Sequence, residues 1–534
     1  MQSTSNYIIP VLLIVVTWAK AGLAGDWIFY SIGIVTIYIL FLSHNSQTGK
    51  RTAFILYLPV LTICIIFTIS YFNPSFKKLT DKEWVELNVQ ESISNEINIS
   101  KAKMALKAFD KIYKVSESNP ELSIALFYHL KNAYFDQFSV NESPVDNLIL
   151  EYQNNIELKT IDFLPTLPFK SKKIVQDFVH FILQILFGIA VFHYVKTLKQ
   201  IRHIILIICY NGGIIAFSGI FQKLNYVPDE SLKEILGIWD TPEPRYFFAS
   251  FTYKNHWAAY AIIMIYMAIG LLFHEYKKNT YNYIRKPKVI FLLLTVINLL
   301  ISIPLSGSRS GTLIIFSSLI LFTFYFTFKS YGGNYKKLMI PILSIILALF
   351  CTIWVVSKFH KETTDEMVNN TKIQINSTLL GKYPLRIMLW DDILNQILDK
   401  PILGYGFNSY QAINPKYQSK EVREQRNIVL NNAHHEFTPL IGYAHNDWLE
   451  RLSEFGLIGL GPFFIYLYMI FSLLVNGKSQ TSKILIFGSI CYLIYSFIDF
   501  PSRTPCNLLT FSLTVGLALK YNYLATNKYI SLKL

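Results

Sequence analysis

The apolar residues of this 534-residue chain are gathered into long, nearly charge-free blocks, and that grouping limits the possible folds more than any motif does. A bilayer core about 30 Å thick is crossed by roughly 20 apolar residues in one helix. Blocks of that length stand at about 7–24, 27–43, 52–71, 174–195, 203–221, 256–274, 288–306, 311–328, 338–357, 452–475, 484–500 and 507–526. Backbone N–H and C=O groups in lipid must be satisfied within the segment, so such blocks are helices. The expected fold is therefore all-α: a polytopic membrane bundle of about 12 transmembrane helices. The composition agrees, with 52% apolar, 15% aromatic and only 16% charged residues.

The net charge of +14 invites a nucleic-acid reading, but its distribution argues against one and toward a membrane surface. With the N-terminus in the cytoplasm, the cytoplasmic segments are 44–51, 196–202, 275–288, 329–337, 476–483 and 520–534. They hold eighteen Lys and Arg and one acidic residue, Glu275. This bias toward positive charge inside places both termini in the cytoplasm and favours anionic membrane lipid. Residues 19–21, Ala-Lys-Ala, resemble a signal-peptidase site, but residues 1–6 carry no Lys or Arg, so the first block is expected to stay as a span. The five cysteines show no paired spacing and predict neither a disulfide framework nor zinc.

The expected organisation is helices one to three over 1–71, a polar loop over 72–173, helices four to nine over 174–357, a second loop over 358–451, and helices ten to twelve over 452–534. Both loops, the segment 222–255 and the turns at 306–310 and 500–506 then share the outer face. In the first loop, 101–136 carries apolar residues at helical spacing on both sides of a Ser-Glu-Ser-Asn-Pro break, which resembles one tetratricopeptide hairpin. One such unit cannot bury its own face and should cover other parts of the protein, with His129 on its surface.

The chemistry-bearing residues gather on that outer face. Asn255 and His256 open the sixth span, where free N–H groups and a positive dipole end attract an anion; an ordinary helix start serves equally well for them. Arg309 lies between Ser308 and Ser310 in a Gly-Ser turn joining two spans. A guanidinium with hydroxyls around it can cradle a phosphate, although an arginine at a helix end also snorkels to lipid headgroups. Residues 385–398 read as an amphipathic surface helix with Ile387, Trp390, Ile393, Leu394 and Ile397 on one face and Trp390 at the membrane surface. Arg386 stands near its N-terminal end, where a cation is disfavoured by about 0.3–1 kcal/mol.

His434, His435, Glu436 and His445 suggest a metal, yet adjacent loop histidines point apart and no HExxH is present, so no metal and no cofactor are expected. His445 precedes Asn446, a helix cap, with Asp447 and Glu450 in the first turn. An imidazole at the mouth of a span suits a general base. Asp499 ends the eleventh span, where a carboxylate is costly unless paired, with an arginine or with the second ring nitrogen of His445.

Taken together, SGSRSG at 306–311, RIMLW at 386–390, PILGYGFNSY at 401–410, AHNDWLERLSEFGLIGL at 444–460, SFIDFP at 496–501 and KNHWAAY at 254–260 resemble the O-antigen ligase superfamily of bacterial membrane glycosyltransferases. The superfamily includes O-antigen ligases, O-antigen polymerases and protein O-oligosaccharyltransferases. The resemblance implies a metal-independent enzyme of the inner membrane, with both loops and the active site periplasmic. Its donor is an undecaprenyl-diphosphate-linked glycan and its acceptor is lipid A-core or a growing polysaccharide. It makes His445 the catalytic base and Arg309 and Arg386 the pyrophosphate ligands. Asp499, Asn446, Ser308, Ser310, His256 and Asn255 support them. Ligation, polymerisation and a protein acceptor all fit. A transporter or flippase of lipid-linked glycans is the competing class, although the polar groups gather at one mouth rather than at mid-bilayer.

Overall fold

The computed structural model describes residues 7–43, 50–225, 234–236, 238–240, 246–278, 284–331, 350, 354, 356–358, 361–379, 383–430 and 441–531. They form two compact units. One comprises Met1–Leu56, His180–Asn376 and Tyr466–Leu534, the other Tyr57–Val179 and Ser377–Ile465. The expected span at 338–357 lies almost wholly outside the described residues, and His434, His435 and Glu436 lie outside them entirely.

Nearly all regular structure is helical; the described residues add one two-residue pair of strands, Glu234–Ile235 and Trp239–Asp240. Among the described residues, five helices are long and apolar enough to cross a membrane: Lys172–Tyr194, Leu198–Leu224, Lys254–Lys278, Pro287–Leu305 and Asp447–Asn476. Shorter apolar helices are Ile8–Trp18, Trp27–Leu42, Ile55–Tyr71 and Arg309–Tyr325. The chain is a helical membrane protein.

The axis of the first unit is the helix Lys254–Lys278, packed against Leu198–Leu224, Pro287–Leu305, Arg309–Tyr331, Gln480–Tyr495 and Pro505–Ser531. Every residue from Asn255 to Ala268 is buried, as befits a helix that is apolar on all sides. Its aromatic residues place their polar ends on neighbours: Trp257 Nε1 donates to Ser302 Oγ at 3.0 Å and Tyr266 Oη to Ser318 Oγ at 2.8 Å. The first apolar block departs from expectation. Its helix stops at Trp18 rather than near residue 24, and Lys20–Gly22 forms a 3₁₀ turn in which Lys20 Nζ reaches the Asp240 carbonyl at 2.8 Å. The cause is Lys20 itself, a charge inside an apolar block that takes a carbonyl as partner.

In the second unit, Ile99–Ser116 and Pro120–Gln137 pack on each other, and the latter also packs on Tyr410–Tyr417. Asn98 caps the first through Ser100 N at 3.0 Å, and Asn119 caps the second through Leu122 N at 3.2 Å, with Pro120 in its first turn. Because Pro120–Gln137 is covered on two sides, His129 is buried at 4% exposure and not on the surface as expected. Asp146, fully buried, joins the helices: it accepts from Tyr134 Oη at 2.8 Å, Asn141 N at 2.9 Å and Lys101 Nζ at 3.3 Å. Burial alone would raise its pKa, but the backbone donors and these partners hold it below the usual carboxylate range.

The helix Asp447–Asn476 is broken. Gly456 sits at φ 61° and ψ −173°, so the residues before and after it form two half-helices. The segment Pro401–Gly406 fills the gap. Tyr405 N and Gly406 N donate to Ser453 O and Glu454 O at 2.9 and 2.8 Å, while Leu457 N and Ile458 N donate to Pro401 O and Ile402 O at 3.0 and 3.1 Å. The backbone groups freed by the break are thereby satisfied, which an apolar setting requires. A buried ion pair, Arg451 Nη1 to Glu454 Oε2 at 2.6 Å, stiffens the first half-helix just ahead of the break.

Candidate functional site

In the first unit, candidate residues gather around Asn255, buried at the start of the central helix. Its amide nitrogen donates to Asp499 Oδ2 and, at 3.0 Å, to the Tyr253 hydroxyl; its Oδ1 accepts from Ser308 Oγ at 2.8 Å. Asp499, completely buried, also accepts from Phe500 N at 2.9 Å. An asparagine amide and a backbone N–H are thus among the partners of this carboxylate. Both of these donors stabilise a buried anion.

Ser308 and Ser310 both contact the hydroxyl of Tyr495, at 3.1 and 3.2 Å, and Arg309 lies between them. Arg309 opens the helix Arg309–Tyr331, and its guanidinium is exposed. Its Nη1 makes only long contacts to neutral groups among the described residues, Thr371 Oγ1 at 3.4 Å and Gln374 Oε1 at 3.3 Å. Lys254, to which the motifs assign no role, stands near enough to Glu366 and to Arg309 for the charges to interact, and its Nζ lies 5.1 Å from the Tyr246 ring. Its place next to Asn255 was the available signal. His256 turns inward instead: Nδ1 bonds Thr504 Oγ1, Asn507 Nδ2 donates to its carbonyl at 3.0 Å, and its ring packs edge-on against Phe500. This geometry gives His256 a packing role.

The second unit holds Arg386, His445 and Asn446. Arg386 is the second residue of the helix Leu385–Asp399, which follows Pro384 and has no acidic residue in its first turn. The buried face of that helix is Leu389, Asp392, Ile393, Gln396 and Ile397, whereas Ile387 and Leu394 are 45% and 44% exposed. The face is rotated from the expected one because polar partners lie inside: Ser419 N donates to Asp392 Oδ1 at 3.1 Å and Gln396 Nε2 to Ser453 Oγ at 2.7 Å. Trp390, expected at the membrane surface, donates its indole N–H to Ala444 O at 3.1 Å. From the other side, Ala444 N donates to the buried Glu450 Oε2 at 3.0 Å.

Ala444 is therefore clamped at both peptide groups, and His445 follows it in the left-handed region at φ 54°. That conformation costs a non-glycine residue about 1–3 kcal/mol and persists only where its surroundings impose it, most often at functional sites. Asn446 Oδ1 caps the next helix, accepting from Trp448 N at 3.0 Å and Leu449 N at 3.1 Å. Arg386 lies one helical turn before Trp390, so it shares a face with the residue that fixes the peptide next to His445. Among the described residues no three His, Cys, Asp or Glu side chains gather as a metal set.

Burial pushes Asp392 up to about 6, against the Ser419 bonds that would lower it. The folded chain then holds a proton that the unfolded chain releases near its ordinary value of 3.8. This group's contribution is full below about pH 4 and is lost as pH rises through about 6, a change of about 2–3 kcal/mol. Asp392→Asn should flatten that slope, seen as a smaller drop in thermal midpoint between pH 4 and 7 than wild type shows.

The family model described as O-Antigen ligase matches residues 293–464. A protein of Rickettsia felis named "Putative polysaccharide ligase" is 30% identical over 113 residues, covering 21% of this chain and 25% of that protein. Its namesake in Rickettsia typhi is 28% identical over the same length and shares. A Haemophilus influenzae protein of no stated function is 24% identical over 253 residues, 46% of this chain and 57% of its own. The chain spans about a quarter of the length of the Rickettsia relatives it matches. The matched region holds Arg309, Arg386 and His445, together with the break at Gly456 and the segment that fills it. Through residues 293–464, this chain is similar to the O-antigen ligase family.

Proposed function

We propose that the chain is a ligase- or polymerase-type glycosyltransferase of the bacterial inner membrane. In this reading it crosses the membrane about twelve times and moves a glycan from undecaprenyl diphosphate to an acceptor hydroxyl on the periplasmic face. The acceptor is lipid A-core or a growing polysaccharide. The acceptor oxygen attacks the anomeric carbon, the bond from that carbon to the phosphate oxygen breaks, and the electron pair leaves with undecaprenyl diphosphate. His445 takes the acceptor proton, while Arg309 and Arg386, with Lys254 beside Arg309, hold the diphosphate whose charge rises as the bond breaks. Fixed cations facing a developing charge are the largest expected source of rate enhancement.

One observation carries the reading. Lys254, Arg309 and Arg386 each stand in the first turn of a helix that has no acidic residue there, where the helix's own dipole repels them. Glu366 lies close enough to Lys254 to offset part of this repulsion there, and at Arg309, whose printed contacts are to neutral groups, an anionic substrate offsets it on binding.

Reconstitution of the full chain with a lipid-linked glycan and an acceptor tests this. New acceptor-linked glycan with release of undecaprenyl diphosphate is the expected result; movement of intact donor across the bilayer without bond change would overturn it. Arg309→Ala should lower kcat/KM for the donor by about 10- to 100-fold, the loss typical of a charge-assisted contact.

A further inference from the structure

We infer that Tyr495 is a positioning residue that sets Arg309 for the donor, an inference that rests on the diphosphate reading of Arg309. Tyr495 is the last residue of the helix Gln480–Tyr495 and is completely buried. Read from sequence, it is an ordinary aromatic residue at the end of a span. Its hydroxyl, however, is the shared partner of the two serines on either side of Arg309, at 3.1 Å from Ser308 Oγ and 3.2 Å from Ser310 Oγ.

The direction of each hydrogen follows from the far end of the chain of bonds. Both oxygens of Asp499 accept, one from Phe500 N and the other from Asn255 Nδ2, which is the behaviour of a carboxylate. With its NH₂ group turned to Asp499 and Tyr253, Asn255 can only accept at Oδ1, and the hydrogen it accepts comes from Ser308 Oγ. A hydroxyl has one hydrogen. Toward Tyr495, Ser308 is therefore an acceptor, so Tyr495 donates to Ser308 and Ser310 donates to Tyr495. Ser308 Oγ also accepts from Gly311 N at 3.2 Å, which ties the same oxygen to the first turn of the helix that Arg309 opens.

All hydrogens in this series run toward Asp499, so one buried negative charge orients every member of it, and bonds aligned in this way reinforce one another. Through it, both neighbours of Arg309 are fixed to one rigid ring while the guanidinium remains exposed. A cation held in place before the ligand arrives loses less freedom on binding. Tyr495 touches no reacting atom in this arrangement; it acts through Arg309.

The test uses the full chain in nanodiscs, with undecaprenyl diphosphate as the titrated probe. Tyr495→Phe removes only the hydroxyl and should weaken binding about 10-fold. Arg309→Ala should weaken it about 30-fold, and the double variant should bind no more than about 2-fold weaker than Arg309→Ala, because the two act as one unit. Tyr266→Phe is the matched control. It removes an equally buried tyrosine hydroxyl bonded to Ser318 and should lower thermal stability like Tyr495→Phe while leaving probe affinity within about 2-fold. Ser310→Ala, which cuts one tether at its half-buried end, should weaken binding about 3-fold and serves if Tyr495→Phe does not fold. Wild-type affinity in the foldable variant, or losses that multiply in the double variant, would overturn the role of Tyr495. Wild-type affinity in Arg309→Ala would instead remove the diphosphate reading beneath it.

Discussion

His445→Asn is expected to lower glycan transfer by about 10²–10⁴-fold, the usual contribution of a general base, while the protein stays as stable as wild type or becomes more so. The two halves of this expectation have separate causes. An amide side chain cannot take a proton from the acceptor hydroxyl, so the chemical step loses its base. Asparagine tolerates the left-handed backbone better than most residues, and position 445 sits at φ 54° between a peptide clamped by Trp390 and Glu450 and a cap made by Asn446. The measurement is an initial transfer rate at saturating donor together with a thermal unfolding midpoint. Transfer at the wild-type rate by His445→Asn would remove the base assignment. A fall in both rate and stability would show that His445 is part of the scaffold.

The largest structural effect is expected at the broken helix. In Gly406→Ala the new Cβ would lie 2.1 Å from Thr166 O at a backbone φ of 97°; in Gly456→Ala it would lie 2.3 Å from Ile402 O at φ 61°. Neither obstacle is a flexible side chain, because each is a carbonyl of a bonded or packed backbone segment. The φ and ψ of Gly456 also fall in a region essentially reserved for glycine. Each substitution should cost at least about 3 kcal/mol, enough to remove most folded protein from a marginally stable unit. Gly461→Ala provides the comparison. It lies in the second half-helix with nothing within 4 Å of the new Cβ and should be neutral or stabilising by up to about 1 kcal/mol. Yield of monodisperse protein and thermal midpoint in detergent separate these cases; an unaltered midpoint in Gly456→Ala would mean that the two half-helices are not held as described.

The motifs carried most of the candidate residues. Asn446 announced itself as a cap by type and by the helix that follows, and Arg386 and Arg309 by lying at the starts of helices. Other features left weaker traces. The apolar face of 385–398 is not legible in the sequence because Asp392 and Gln396 look like outward residues, yet Ser419 and Ser453 receive them inside. His129 reads as a surface residue until Pro120–Gln137 is seen to be covered on two sides. The short first helix was hidden because hydropathy averages over Lys20 rather than asking where its charge goes.

By itself, the sequence determined that this is a helical membrane protein, since long runs of apolar residues leave backbone polar groups no partners in lipid except within their own helix. It also determined the region similar to the O-antigen ligase family, through residues whose order and type are local. Only the tertiary structure decided where the buried charge of Asp499 is answered and what Tyr495 holds. The Asn255 amide that reaches Asp499 is 244 positions away, and the serines bonded to Tyr495 are 187 and 185 positions away. Hydrogen bonds across such separations depend on helix packing, which imposes no periodic pattern on the chain that a reader of residues could detect.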